Sequence, residues 1–233
     1  LVAQGRPRVT LGALFDAVPK GPDDDDRLSR YWPRIGAGRA SGRACPYLAC
    51  PQGGCENSNL VWLDSDRRNR IEQLHCERDA CGFILDGNDF VLTRRSMIER
   101  PPDLLFSSLE MVNQNMSSVP MRRLFGVGVA SRRRPRLVLL DEVHTYSGTY
   151  GAQAALLLRR WKRATRATPH FVGLSATLED ARRFFAEMVA EPVSRVEAVV
   201  PRAAEREQEG QEVLLALRGD PVSKTQLLST SIQ

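Results

Sequence analysis

Lysine is almost missing from this chain. Only Lys20, Lys162 and Lys224 occur among 33 basic residues, so its positive charge is carried by guanidinium groups. Long apolar runs are missing too: no window approaches the ~18 uninterrupted apolar residues of a membrane span, which excludes a span, and no membrane partner is expected. A basic-plus-apolar leader is absent, and the chain opens Leu1-Val2-Ala3 without an initiator Met. We therefore expect a cytoplasmic protein and the interior of a longer chain. Cysteine is absent everywhere outside residues 45–81. What remains is ordinary: 233 residues, 42% hydrophobic, 26% charged and net +5, which excludes wholesale disorder and allows one core or a core with a small satellite.

The arginines cluster as Arg67, Arg68, Arg70; as Arg132, Arg133, Arg134, Arg136; and as Arg159, Arg160, Arg163, Arg166. A guanidinium fork gives a phosphate two hydrogen bonds, so such clusters suit nucleic-acid backbones. They also suit solvated helix faces, and charge alone does not decide between the two.

The five cysteines, Cys45, Cys50, Cys55, Cys76 and Cys81, are spaced C-x4-C-x4-C, then twenty residues, then C-x4-C. Two short pairs about twenty residues apart match two knuckles that each offer two thiolates to a structural Zn2+. Cys50, Cys55, Cys76 and Cys81 are the favoured ligands, because Cys55 and Cys81 each precede an apolar strand, Leu60–Leu63 and Phe83–Leu85. Cys45 can replace Cys50 or Cys55, and His75 is a poorer candidate. Disulfides do not fit a chain without an export signal. An iron–sulfur cluster, or no metal at all, stays open.

Val9–Phe15 reads as a strand, 37–44 as a Gly/Arg/Ser linker, and Phe83–Leu85 with Phe90–Thr93 as a hairpin around Asp86-Gly87-Asn88. From Pro101 strand and helix alternate. The strand Asp103–Phe106 leads into Ser107-x-x-Glu110, a capping box for a helix to about Met116. Arg136–Leu140 is a second strand, apolar without alternation, as when both faces are covered. A helix over Gly151–Arg166 leads to the strand His170–Leu174, and Thr177-x-x-Asp180 caps a helix over Leu178–Val189. About thirty-four residues separate the second strand from the third, the length of a parallel crossover. One further helix is expected over Glu205–Leu217.

In a parallel sheet, ligands bind where the strands end. Leu140 is followed by Asp141, Glu142, Val143 and His144; Leu174 by Ser175, Ala176 and Thr177; Phe106 by Ser107 and Ser108. Two adjacent carboxylates on a buried strand suit Mg2+, which takes one or two carboxylates and keeps water and phosphate for the rest of its shell. Asp141 would hold the ion, and Glu142 would orient and deprotonate water attacking a γ-phosphate. Either motif alone is also an ordinary polar turn or helix cap; the order and spacing of the two together is what carries weight.

Leu137-Val138-Leu139-Leu140-Asp141-Glu142-Val143-His144 resembles motif II, the Walker B box, of superfamily 2 DEAD/DEAH-type helicases. Ser175-Ala176-Thr177 resembles their motif III, Pro101–Met111 their motif Ib, and Val9–Pro19 the segment after motif Ia. The cysteine insertion and Tyr146-Ser147-Gly148-Thr149-Tyr150-Gly151 resemble, more narrowly, the large helicases of bacterial phage-defence systems of the DISARM type. The resemblance implies an α/β fold: a partial RecA-like parallel sheet with helices on both faces over 1–44 and 83–200, a zinc-ribbon-like insertion over 45–82, and a connector over 201–233. It implies ATP and Mg2+ at Asp141 and Glu142, with His144 linking that site to the rest of the motor. Ser175, Ala176 and Thr177 would couple hydrolysis to strand binding, and Ser107, Ser108, Arg94 and Arg95 would contact DNA or RNA, as a single strand or at a junction. Other defence-system proteins are further expected partners.

The sequence departs from that family in holding no G-x-x-x-x-G-K-[ST] loop and no second RecA-like half with its arginine finger. By itself the chain is expected not to hydrolyse ATP. The alternative is a non-catalytic, zinc-containing module derived from a helicase core that binds nucleic acid or a protein partner. A zinc hydrolase is disfavoured, since four thiolates leave no open position for water.

Overall fold

Among the described residues the apolar runs build two separate parallel sheets, of three strands and of two, and one five-stranded antiparallel sheet. The computed structural model describes residues 8–36, 41–55, 57–175 and 180–200. The chain begins with β1 (Leu11–Leu14) and α1 (Asp25–Tyr31). It then builds an antiparallel sheet from β2 (Arg34–Ile35), β3 (Gly42–Ala49), β4 (Asn59–Leu63), β5 (Gln73–Cys76) and β6 (Ile84–Asp86), with α2 (Asp64–Arg68) between β4 and β5. The order in that sheet is sequential. β7 (Phe90–Val91) and β8 (Leu104–Ser107) flank β1, both parallel to it, with α3 (Arg94–Glu99) between them. After α4 (Leu109–Asn115), β9 (Leu137–Leu140) pairs in parallel with β10 (His170–Gly173) across the crossover helix α5 (Gly148–Thr165), and α6 (Ala181–Val189) follows. The fold is thus mixed α/β with parallel sheets and a small cysteine-bearing sheet. These elements lie in one compact unit, Leu1–Val196; a second, Glu197–Gln233, is described only over 197–200. The expected connector over 201–233, its helix over 205–217, and half of the linker (37–40) lie outside the described residues, while 42–44 of that linker belongs to β3.

The antiparallel sheet is wider than the expected insertion over 45–82, since β2 and β6 extend it to Arg34 and Asp86. Its core is also shared. Cys45, Cys50, Cys55, Leu60, Trp62 and Leu74 are buried in one cluster with Ala13 of β1, Leu28 of α1, Trp32 and Phe90. Both indoles are fully buried and bonded: Trp32 Nε1 donates to the Ala17 carbonyl at 2.8 Å, and Trp62 Nε1 to the Ile71 carbonyl at 2.8 Å. Gly42 is required where β3 meets β4, because a Cβ there would lie 2.4 Å from the Trp62 carbonyl oxygen. Trp62→Ala should lower stability by about 3–5 kcal/mol, through cavity formation and an orphaned Ile71 carbonyl, with Trp62→Phe falling between. Urea unfolding followed by the remaining tryptophans measures it.

Four local expectations change. Phe83–Leu85 and Phe90–Thr93 do not form a hairpin: β6 is an edge of the antiparallel sheet and β7 an edge of the three-stranded parallel one. The Asp86–Asp89 turn is real, with the Asp86 carboxylate accepting the Asn88 N–H at 2.8 Å, but it connects two sheets. The cap of α4 is Ser108, not Ser107: its hydroxyl oxygen accepts the Met111 N–H at 3.2 Å. Helix α6 begins at Ala181 after Asp180 in a left-handed conformation, a turn later than expected, while Thr177 lies outside the described residues. The run Leu137–Leu140 is apolar throughout, yet its burial alternates. Leu140 is buried, whereas Leu137 and Leu139 are 51% and 56% exposed. On the covered side Leu140 packs with Leu158 of α5 and with Met188 and Val189 of α6.

Candidate functional site

Beyond their last paired residues, β9 and β10 stay tied together. The Leu174 N–H donates to the Leu140 carbonyl at 2.8 Å, and the Val143 N–H to the Leu174 carbonyl at 2.9 Å. The residues after both strands are thereby held at one sheet edge. Asp141 Oδ1 accepts the Glu142 N–H at 3.0 Å, and Glu142 itself is left-handed, at φ 48° and ψ 47°. For a residue with a Cβ that conformation costs on the order of 1 kcal/mol. It is held by Thr145, whose hydroxyl donates to the Glu142 carbonyl at 2.8 Å.

The outcome is a three-residue link. His144 Nδ1 lies 3.3 Å from Glu142 Oε2 and 3.3 Å from Ser175 Oγ. With a proton on Nδ1 the ring donates to the carboxylate; without one it accepts from the Ser175 hydroxyl. One imidazole nitrogen is therefore within reach of groups from both strand ends. Asp141 and Glu142 are exposed, and among the described residues Asp141 has a carboxylate oxygen free of bonds, which suits a hydrated divalent cation. Ala176 and Thr177 lie outside the described residues.

A pair of tyrosines borders this edge. Tyr146 and Tyr150 stack with ring centroids 5.5 Å apart and planes at 10°. Burial raises the Tyr146 phenol above its ordinary range, with Tyr150 and the Asp141 carboxylate adding to the shift. Gly151 permits the turn into α5, since a Cβ would meet the Tyr146 carbonyl at 2.3 Å. Sequence reasoning missed this stack, although the spacing of four at a helix start was its signal.

The other expected strand contacts are used differently. The Ser107 hydroxyl donates to the Leu14 carbonyl at 3.0 Å, so it has no proton left for a phosphate. Ser108 accepts at its cap and keeps its own proton. Arg94 straps the segment after β1, donating from Nε to the Val18 carbonyl at 3.0 Å and from Nη2 to the Phe15 carbonyl at 2.9 Å. Burial pushes its guanidinium below the ordinary value. Arg95 is half exposed, with Asp23 at 3.8 Å.

The second candidate site is the thiol cluster. Cys50, just after β3, and Cys55 sit on one tight turn, with the Cys55 N–H donating to the Gln52 carbonyl at 3.0 Å. Cys76, at the end of β5, and Cys81 sit on another, with the Cys81 N–H donating to the Arg78 carbonyl at 2.9 Å. Arg78 joins the turns by donating to the Gly54 carbonyl. The four Sγ atoms lie within 4.8 Å of one another, Cys50 and Cys81 at 3.7 Å. Thiolates ~2.3 Å from a tetrahedral zinc stand about 3.8 Å apart, so this cluster can hold the ion. Mutual proximity acts against ionisation when no cation is present. Bonding to Cys81, then burial, pushes the Cys55 thiol up to about 12, while the Phe83 backbone N–H draws Cys81 down. Cys45 stands apart, buried on β3 and pushed up to about 12 by that burial. His75 turns to Asp66, with Nε2 2.7 Å from Oδ2.

Ninety-nine residues of the chain, 41% of it, are 30% identical to the ATP-dependent helicase hrq1 of Schizosaccharomyces pombe. The match covers 9% of that protein. This likeness links the chain to a helicase. No family model and no solved structure matches it. Among the described residues no helix is long and apolar enough to cross a membrane.

Proposed function

We propose that the chain is part of the first RecA-like half of a superfamily 2 helicase or translocase, one that couples ATP hydrolysis to movement on a nucleic-acid strand. The observation that carries this reading is the Glu142–His144–Ser175 link between the ends of two adjacent parallel strands. Asp141 would hold magnesium, directly or through water. Bound there, the ion would neutralise charge on the terminal phosphates. Glu142 would orient the attacking water and take its proton. His144 would pass the state of that carboxylate to Ser175, and from there to the strand. Ser108 would offer its hydroxyl proton to a strand phosphate, and Arg95 its guanidinium. The chain holds no triphosphate-binding loop, so catalysis requires that part from a longer protein. The narrower assignment, to phage-defence helicases of the DISARM type, rests on Tyr146–Gly151 and the cysteine insertion.

The test uses a protein that carries this chain together with a triphosphate loop and a second half. His144→Ala and Ser175→Ala should each reduce strand-stimulated ATP turnover about tenfold, and the double variant should be little worse than either, since the two act as one link. Independent, multiplying losses would refute the link. The thiol cluster favours a second reading, a zinc-bearing binding module without catalysis; absence of strand-stimulated ATP turnover in the unaltered longer protein would support it.

A further inference from the structure

The first arginine cluster lines a groove that the catalytic reading leaves unused. Between the start of α1 and α2 lies an open cavity of about 490 Å3, walled by Arg34, Arg67, Arg68 and Arg70 with Asp23, Asp25 and Asp64. Its charges fall into two groups. Arg67 is a strut: Nη2 donates to the Pro22 carbonyl at 3.0 Å and to Asp25 at 2.6 Å, and Nη1 lies 3.6 Å from Asp64. Arg34 closes the same network on Asp64 at 2.9 Å, and Asp23 has Arg95 at 3.8 Å. The acidic members are therefore neutralised by fixed partners. Arg68 and Arg70 are exposed, and their guanidinium groups make no hydrogen bond or ion pair with the described residues.

Helix termination fixes Arg70 at the rim: it is left-handed, at φ 58°, where it closes α2, its N–H donating to the Arg67 carbonyl at 3.0 Å and the Ile71 N–H to the Asp66 carbonyl at 2.8 Å. An arginine so placed, with an unbonded head at the edge of a concavity, is positioned to meet a ligand there. The ligand must be anionic, extended enough to meet two guanidinium groups, and tolerant of an open floor. A nucleic-acid backbone has all three properties, and a groove of this size accommodates a phosphate with its sugars.

We propose that Arg68 and Arg70 bind the phosphate backbone of a single nucleic-acid strand on the cysteine-bearing sheet, away from the β9–β10 edge. This rests on the reading of the chain as a nucleic-acid motor and gives the antiparallel sheet a role in it. Anisotropy of fluorescein-labelled oligothymidylate and oligouridylate with the full chain, titrated over a range of salt, tests it. The Arg68→Ala, Arg70→Gly double variant should bind at least ~fivefold more weakly, and its plot of log K against log salt should be shallower by about 1.4, two phosphate contacts at ~0.7 each. Arg70→Gly alone should leave the thermal midpoint unchanged or raised, which separates lost contact from lost fold. Equal affinity and slope in the double variant would overturn the groove and leave the motor reading standing; so would weaker binding with an unchanged slope. Absence of salt-dependent binding by the unaltered chain would also overturn the groove. The motor reading is judged separately, by ATP turnover of the longer protein.

Discussion

Cys76→Ser with Cys81→Ser should strip the chain of zinc and unfold its antiparallel sheet. Purified chain should carry about one zinc, the complement of a closed four-thiolate site. The two turns that present the thiols are short and mostly polar, and their cysteines are what ties them to the apolar core, Cys50 and Cys55 within it and Cys76 and Cys81 against it. Structural zinc contributes apparent free energies of about 10–16 kcal/mol in small metal-dependent modules, comparable with or above the ~5–15 kcal/mol by which whole domains are stable. The loss should not stop at the turns. Cys50 and Cys55 are buried in the same cluster as Trp32, Trp62, Leu28 and Phe90, so releasing them loosens the packing of α1 and β1 as well. Metal analysis and near-ultraviolet circular dichroism should therefore fall together, and chelation of the unaltered chain should reproduce both changes. Cys45→Ser is the control. That thiol is buried on β3 outside the group of four, so the variant should keep its metal and lose only about 1–2 kcal/mol from placing a hydroxyl in the core. Zinc lost from Cys45→Ser and retained by the double variant would move the site. Iron and a brown colour would replace zinc with a cluster.

How legible these features were in the sequence depended on how local their causes are. The paired cysteine spacing predicts two converging turns, a constraint of chain length, and the apolar strands after Cys55 and Cys81 favour the four thiols that come together over Cys45. The β9–α5–β10 unit is equally legible, as a crossover needs only two apolar runs and a helix of matching length. The supposed hairpin at 83–93 failed for the opposite reason. Asp86-Gly87-Asn88 forms its turn, but Phe90 pairs with Leu11, seventy-nine positions earlier, and no local pattern records that. Arg94 shows the same limit: an arginine in a basic stretch reads as a phosphate contact, while its three-dimensional neighbours are the Phe15 and Val18 carbonyls. The His144 link was half legible. The motif places Glu142 and His144 together, but only the strand register, with Gly173 opposite Leu140, brings Ser175 to the same imidazole.

Glu142→Gln should abolish ATP turnover in a protein that carries this chain with a triphosphate-binding loop, and should leave ATP binding intact. The substitution is nearly isosteric. The amide oxygen it introduces still accepts from His144 Nδ1, so the link to Ser175 keeps its geometry, and the left-handed backbone held by Thr145 is untouched. What disappears is the ability to take a proton. General-base catalysis is worth about 10²–10⁴-fold, so turnover should fall by roughly 10³-fold with little change in the affinity for nucleotide. Asp141→Asn should behave differently. It weakens the ligand proposed for the cation, so both turnover and magnesium-dependent nucleotide binding should fall. The contrast separates the two neighbouring carboxylates by role, which sequence adjacency cannot do. If Glu142→Gln left turnover unchanged, the strained carboxylate beside His144 would not be the base, and the strand-end site would have to be read as a binding edge.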